Sequence, residues 1–564
     1  MSLRFSTVGF LAFALLVHDL PAAESKTVLL DSLEAPLAVP EGGSKRIADA
    51  HALASQGLAD DAIAMIDAAM EEEGASFHAL ELKGVIEATT GRLDEAILSL
   101  TAAAELSPQS ASVFRMLGDV YSAKGDTDRA YRMFRQAFDL DPDDRKTNQR
   151  LGLIYRERGA HGDAVAYLER GLKGPARKNL ELALPLAQSW VALNKPVEAR
   201  DALLAALDLK SENAAAHRIL GAAAYAAKDW QLADERLTRA RSLGDLDPQI
   251  AAMAADARRE LGDFESATQL FEVLLGEEGR RPALVRSLGI TALESGDLDR
   301  AFDLFKELVR GEDATLQDHL ALGQVATASE QFSIAAEQYN AVIRIAPDQP
   351  DGYLRLANLA AGVRDYDGAL RVLDGGLQRL PEQTDLVRRK VLVLLRLDRL
   401  SEARELAEAV WVSDDARTED GIMLASLSKA LGNPDAAEEI YKTVLFRHPD
   451  TVGALAGLAL LAAERGEFEA AEGPAGKAFA IGPENPMAAY AQGWVLSQSD
   501  VTRSDGIALL ERAAQALVDP RILLLVAEAH ASSGDQQAAS RAARAALELS
   551  HSFPGADKAR ALSR

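Results

Sequence analysis

The sequence contains no cysteine. This absence excludes disulfide bonds, zinc sites with cysteine ligands, thiol catalysis and lipid attachment through a cysteine. An exported protein can lack cysteine, but the absence does not by itself establish export.

Aromatic residues are also scarce, at 5% of the 564 residues, and there are only 20 prolines. Alanine and leucine are abundant among the 48% of hydrophobic residues. This composition favours close-packed helices over sheets. A chain of this length with one kind of element points to a repeat architecture, whose core grows in one dimension.

Acidic residues outnumber basic ones, so the formal net charge is -25 and the pI is about 4.9. Such a chain repels a phosphate backbone, and nucleic acid is therefore not an expected partner. The acidic field favours basic partners, or it reflects ordinary solvated outer helix faces.

The N-terminal segment has the pattern of an export signal. Arg4 precedes an apolar run over residues 8–17, and small residues follow near Ala22 and Ala23. The run is too short to span a bilayer, and no later segment is apolar enough to do so. We predict a signal peptide over 1–23 and a linker over 24–42; the alternative is an uncleaved anchor or a disordered leader.

One alanine recurs every 34 residues along almost the whole chain, with a single one-residue insertion. Its positions are Ala62, Ala96, Ala130, Ala164, Ala199, Ala233, Ala267, Ala301, Ala335, Ala369, Ala403, Ala437, Ala471 and Ala539. Such a fixed interval is typical of stacked helical repeats.

Other positions of the repeat, which we call slots, recur at the same 34-residue interval. A small residue, as in Gly118, stands twelve positions before nearly every one of these alanines, and a bulky one, as in Phe134, stands four positions after most of them. The small side chains predict that two antiparallel helices approach closely, and the bulky ones fill the space beside them. Turns such as 124–126 combine a capping glycine with an acidic residue at the next helix start.

This pattern resembles the tetratricopeptide repeat family. In the unit beginning at Ala111 the matching residues are Phe114, Leu117, Gly118, Tyr121, Ala130, Phe134, Ala137 and Pro142. The resemblance covers about fifteen 34-residue units over 43–553 and leaves a short polar tail at 554–564. It implies an all-α solenoid, a right-handed superhelix of helix-turn-helix repeats. The pattern departs at Val391, where a small slot is enlarged, and over 497–506, where a turn is lengthened.

The resemblance also implies a groove lined by the first helix of each repeat, in which extended partner segments lie. Two sets of groove residues are candidates for binding. The aromatic set is Met487, Tyr490 and Trp494; the basic set is Arg355, Asn358, Arg388, Arg389 and Arg396. Aromatic stripes suit binding hot spots, and arginines suit carboxylate or phosphate groups. Packing at the irregular turn and solvated helix surface are the alternatives. A weaker basic set is Lys146, Arg150 and Arg156.

Catalytic and metal-binding patterns are not found in the sequence. The nine histidines are dispersed, and His217 and His319 occupy slots that large residues hold elsewhere, which predicts a structural role. There is no phosphate-binding glycine loop and no G-x-S-x-G motif. We therefore predict a protein that is not an enzyme and has no cofactor.

These features lead to one preferred function and two alternatives. We expect a periplasmic or secreted scaffold that binds segments of other proteins, and by analogy with exported arrays of this size we place it in an exopolysaccharide synthesis or secretion assembly. The groove guiding a polysaccharide directly is one alternative, and a cytoplasmic scaffold is the other. The sequence leaves the partner and the oligomeric state open.

Overall fold

A computed structural model describes residues 44–174, 178–207 and 211–564. Within these ranges the chain forms 31 helices and no strand, which confirms the predicted all-α solenoid class. The predicted signal peptide and linker lie outside the described residues. None of the helices in the described part has the length and apolarity required to cross a bilayer.

The helices alternate between a first and a second member of a hairpin. In chain order they are α1 Lys45–Ser55, α2 Ala59–Glu73, α3 Phe77–Thr89, α4 Leu93–Leu106, α5 Ala111–Ala123, α6 Thr127–Leu140, α7 Arg145–Glu157, α8 His161–Gly171, α9 Leu180–Ala192, α10 Pro196–Leu204, α11 Ala214–Ala226, α12 Trp230–Ser242, α13 Pro248–Glu260, α14 Phe264–Glu278, α15 Pro282–Ser295, α16 Leu298–Leu308, α17 Leu316–Ala328, α18 Phe332–Ile345, α19 Asp351–Gly362, α20 Tyr366–Arg379, α21 Thr384–Arg396, α22 Leu400–Trp411, α23 Thr418–Ala430, α24 Pro434–Arg447, α25 Val452–Glu464, α26 Phe468–Ile481, α27 Pro486–Ser497, α28 Arg503–Leu517, α29 Pro520–Ser533, α30 Gln536–Leu549 and α31 Ala556–Leu562.

Two compact units divide the chain, one ending at Leu304 and the other beginning at Phe305. From α1 to α15, and again from α17 to α31, each helix packs on the next one along the chain. Several first helices also contact the first helix of the following hairpin, as α19 and α21 do. Each unit is thus a stack of hairpins, as a 34-residue period requires.

The small slot of the first helix faces the bulky slot of the second. A Cβ atom added at Gly118 would lie 2.5 Å from the Phe134 ring, and one added at Gly221 would lie 2.7 Å from Leu237. Phe134 and Leu237 are fully buried. Because the two glycines carry no side chain, Phe134 and Leu237 pack directly against the backbone of the first helix, and each hairpin closes tightly.

The predicted departure at Val391 is matched by a second one on the facing helix. Ala407 occupies the slot that is bulky in neighbouring hairpins, such as Leu373 in α20, and both Val391 and Ala407 are buried in one core cluster. Exchanging large and small residues between facing slots conserves the volume, so this hairpin keeps its packing.

The turn between paired helices needs one residue in the left-handed region. Glycine supplies it at Gly125 and Gly296, whose φ angles are 80° and 85°, but Lys228 and Arg364 adopt it at 61° and 64°. The following aspartate caps the second helix, as where Asp126 Oδ1 accepts a hydrogen bond from the Arg129 amide. The predicted acidic residue therefore accepts a hydrogen bond from a backbone amide of the first helical turn, and its negative charge interacts favourably with the helix dipole.

The last hairpin is followed by more than a polar tail. Residues Ala556–Leu562 form α31, which packs on α29 and α30. Ala556 and Ala559 are buried in this contact, and Ser540 Oγ on α30 donates a hydrogen bond to the Ser563 carbonyl. The helix covers the apolar end of the stack, a need that every repeat array has.

Substituting Gly118 by alanine tests the close approach. We expect the variant to lose about 1–3 kcal/mol of stability, because the buried Phe134 ring cannot move away from the new methyl group. Gly162→Ala is the matched control, since a Cβ atom there would meet no atom within 4 Å. Urea unfolding measures both; equal stability of the two variants would contradict the proposed packing.

Candidate functional site

A cleft of about 530 Å³ opens between the first helices α19 and α21. We call it the α19–α21 cleft. Its polar lining is Asn358, Arg389 and Arg396, and its apolar lining includes Tyr366, Leu392 and Leu395. The cleft therefore joins two guanidinium groups and an amide to an aliphatic and aromatic wall.

Helix periodicity explains why these side chains meet. Arg389 and Arg396 are seven residues apart on α21 and so share one face of the helix. Asn358 lies on α19, which packs beside α21. The buried residues Leu386 and Leu394 anchor α21 in the core.

Neither arginine of the cleft has an ion-pair or hydrogen-bond partner among the residues that the structure describes. The Nε atom of Arg389 is buried and unpaired, and burial lowers the pKa of its guanidinium. An arginine stays protonated at neutral pH even so. The cleft thus holds two positive charges that the chain does not neutralise by direct contact.

Arg388 is predicted with these residues but lies outside the cleft lining. Its guanidinium makes ion pairs with Asp385 at 3.0 Å, Asp415 at 3.0 Å and Asp420 at 2.9 Å. Hydrogen bonds, above all those with Asp420, hold the pKa of Arg388 above its usual range. Arg388 therefore clamps α21 to the next hairpin and offers no free charge.

Arg355 also lies outside the cleft lining, on α19 one turn before Asn358. It is partly buried and sits near the Tyr339 hydroxyl of α18. Burial raises the pKa of Tyr339, and the positive charge of Arg355 opposes that rise. The basic set is thus divided, with Asn358, Arg389 and Arg396 brought together.

The aromatic set lies on α27 and is largely used in packing. The rings of Tyr490 and Trp494 stack with centroids 5.9 Å apart, and the edge of Trp494 meets Phe468 at 6.4 Å. Both rings are partly buried against core clusters, and burial raises the pKa of Tyr490. Met487 is the most open member of the set, with 38% of its surface exposed.

The weaker basic set lies in the first unit and is mostly satisfied. Arg150 Nε donates to Asp119 Oδ1 at 2.8 Å, with both side chains buried, and Arg156 donates to Gln188. Burial raises the pKa of Asp119, while Arg150 and Arg115 lower it.

Of the two histidines predicted to be structural, one is buried and the other is partly buried. His217 is buried with Nε2 3.1 Å from the Ser211 carbonyl, and His319 Nδ1 lies 2.8 Å from Gln338 Oε1. Within the described ranges, no group of three or more histidine, aspartate or glutamate side chains is arranged to hold a metal ion.

The apolar lining of the cleft was missed by the sequence analysis. Leu392 stands 34 residues after Asn358 and so occupies the same groove slot, which is a signal that the period contains. Tyr366 is the first residue of α20, the second helix of its hairpin. It lies outside the repeat positions that line the groove, so the 34-residue period does not identify it.

Comparison with known proteins gives one family and several loose relatives. Two models described as tetratricopeptide repeat match the chain, one at residues 252–315, 354–416 and 422–497 and the other at 77–227. The Cellulose synthase operon protein C of Xanthomonas axonopodis pv. citri (strain 306) is 24% identical over 352 residues. The match covers 57% of this chain but only 23% of that protein.

Solved structures that resemble the chain are similarly distant in sequence. Naa15/Naa10 bound to HypK-THB is 12% identical, covers 92% of this chain and 95% of its own, and has a TM-score of 0.32. The APC/C hetero-tetramer Cut9-Hcn1 is 12% identical, with coverages of 88% and 97% and a TM-score of 0.37. Yeast Tom70 is 16% identical, with coverages of 86% and 94% and a TM-score of 0.31.

The neighbouring residues Arg388 and Arg389 should respond differently to the same change. Arg388→Met leaves three carboxylates without their shared partner, and we expect a loss of about 2 kcal/mol of stability. Arg389→Met removes a guanidinium without a partner, and we expect a change within about 0.5 kcal/mol. Urea unfolding compares the two, and a larger loss for Arg389→Met would refute this division of the basic set.

Proposed function

The chain belongs to the tetratricopeptide repeat family, and on this basis we propose that it is an interaction scaffold of the cell envelope that binds extended segments of partner proteins along its first helices. In this role the protein brings other molecules together and performs no catalysis. It includes a role in exopolysaccharide synthesis or secretion.

The α19–α21 cleft is the observation that carries the binding role. The Nε atom of Arg389 is one of several buried arginine nitrogens without a hydrogen-bond partner in the described part of the chain, and the desolvation cost of such a group is uncompensated. The open apolar wall of Leu392, Leu395 and Tyr366 stands beside that group. A bound segment would cover both at once, which favours a partner in this place.

The proposed setting rests on two weaker supports. One is the apolar leader predicted for residues 1–23, and the other is the 24% likeness to a protein named for a cellulose synthase operon. Since this chain spans 23% of that relative, the setting is a proposal about the envelope and not a transfer of the relative's activity. Fractionation of a tagged full-length chain separates it from the cytoplasmic alternative.

Direct guidance of a polysaccharide is the second candidate, and the aromatic residues disfavour it. Sugars stack on open ring faces, but Tyr490 and Trp494 stack on each other. Two other tyrosines of the first helices are also engaged: Tyr225 on α11 donates to Asp256 at 3.3 Å and packs against Trp230, and Tyr353 on α19 is buried. Few free ring faces therefore remain on these four aromatic residues for a sugar to stack on.

Site-specific photo-crosslinking tests the proposed scaffold. With a photoreactive residue at Leu392, which lines the cleft, we expect an envelope polypeptide to be captured as a protease-sensitive adduct. Val412 lies outside the cleft lining with 77% of its surface exposed and is the control position, where we expect no such adduct.

The adduct also discriminates between the candidates. A product that resists protease but is shortened by a polysaccharide-degrading enzyme would replace the protein scaffold with the polysaccharide guide. Equal adducts at positions 392 and 412, or none at either, would refute binding along the first helices.

A further inference from the structure

His217 on α11 occupies a slot that apolar residues hold in most hairpins. It stands four residues before the small slot Gly221, and the same slot holds the buried Phe114 in α5 and the buried Val285 in α15. The His217 side chain is fully buried. Its Nε2 atom lies 3.1 Å from the Ser211 carbonyl oxygen. Because a carbonyl only accepts hydrogen bonds, Nε2 carries the proton of the neutral ring and Nδ1 presents a lone pair.

Two arginines of α12 share the interior of this hairpin with His217. Arg236 stands 19 positions after His217 and is only 8% exposed, and Arg239 lies one turn further along α12. Among the described residues, the Nε and Nη1 atoms of Arg236 and the Nε atom of Arg239 are buried without a hydrogen-bond partner. Glu235 comes within 3.4 Å of Arg236 Nε, but 42% of its side chain is exposed. The hairpin thus holds two poorly solvated positive charges beside a neutral imidazole.

The α17–α18 hairpin has a histidine in the same slot but a different neighbour. His319 stands four residues before the small slot Gly323, and Gln338 follows it by 19 positions. The Nδ1 atom of His319 lies 2.8 Å from Gln338 Oε1. An amide oxygen can accept a hydrogen bond from a protonated Nδ1, whereas a guanidinium has donors only. Protonation therefore suits the neighbour of His319 and conflicts with the neighbours of His217.

The charged groups that act on His217 lie on α12. Burial lowers the pKa of the His217 imidazole, and the charges of Arg236 and Arg239 lower it further, while the hydrogen bond with Ser211 and the charge of Glu235 oppose the change.

The helices α9, α10 and α13 also pack on α11, and most of their charged side chains are held by partners of their own. These pairs are Glu198 with Lys195, Arg200 with Asp201 and Asp229, Arg258 with Asp234, and Arg259 with Asp256, Glu260 and Glu294. Glu181 is exposed at the start of α9. On α11 itself Arg218 pairs with Asp245, and Arg241 adds a further positive charge in the last turn of α12.

We propose that the α11–α12 hairpin is an acid-sensitive joint of the stack, closed while His217 is neutral and loosened when His217 takes up a proton. The proton places a third positive charge beside Arg236 and Arg239 in a space that water does not reach, where like charges repel strongly. Since α11 is a first helix, its loosening changes the surface proposed to bind partners. The joint itself does not depend on the proposed scaffold function.

The direction of the pH dependence follows from the two states of His217. In an opened hairpin its pKa is the ordinary value of about 6.5, and in the closed hairpin the pKa is lower. The open form therefore gains protons first as the pH falls. The stability of the joint is complete above pH of about 6.5 and is lost between that pH and the lowered pKa.

Hydrogen–deuterium exchange of the full chain at pH 7.5 and pH 5.5 tests the proposal, after correction for the intrinsic effect of pH on exchange. Peptides from α11 and α12 should exchange about three- to tenfold faster at pH 5.5, because one unit of difference in pKa changes the opening equilibrium tenfold. Peptides from α17 and α18 are the internal reference and should change less.

Three variants assign the response to its residues. His217→Gln removes the titrating group and should abolish the acceleration. Arg236→Gln gives His217 the same neighbour that His319 has and should reduce the acceleration. His319→Gln, in the same slot of another hairpin, is the matched control and should leave the response of α11 and α12 unchanged. Melting temperatures at pH 7.5 show that each variant is folded.

The possible outcomes separate this joint from the scaffold function. Equal exchange of α11 and α12 at the two pH values overturns the joint, and so does an acceleration in His217→Gln as large as in the unaltered chain. An unchanged acceleration in Arg236→Gln also overturns it, because the arginines then have no part in the response. Crosslinking at position 392 tests the scaffold function separately, in the other compact unit.

Discussion

The close approach of two antiparallel helices is the constraint on which the rest of the structure depends. A bulky side chain such as Phe134 fills the volume that the missing Cβ of Gly118 leaves open. Where the larger Val391 takes the place of the small residue, the facing position holds the small Ala407 instead of a bulky residue. At this pair the stack therefore preserves the summed volume and not the identity of either residue, as expected of close-packed interiors.

Once the hairpins are closed, their first helices face one another in a fixed register, and charge decides how each contact is used. Arg150 and Asp119 neutralise each other inside the stack. Arg388 is held by three carboxylates and joins consecutive hairpins. Arg389 stands next to Arg388 in the chain but faces an amide and an open cleft. The same repeat geometry thus serves cohesion at one contact and leaves an unbalanced charge at another.

This division has a functional meaning for a scaffold. In a helical stack whose contacts are all satisfied, every polar group has a partner and every apolar group is covered, so no group is left that a bound molecule would complete. The α19–α21 cleft departs from that condition in both respects within one small volume. The aromatic set on α27 departs from it less, since Tyr490 and Trp494 already cover each other.

The sequence by itself determined the period, the helical class, the hairpin boundaries and the facing of small and large slots, because these follow from side-chain volume at fixed intervals. It also placed Asn358, Arg389 and Arg396 in one group. Only the tertiary structure separated Arg388 from them, brought Tyr366 to the cleft and turned the tail at 554–564 into a covering helix. Those outcomes depend on which neighbouring hairpin supplies a carboxylate or an apolar surface, and a pattern along one helix does not contain that information.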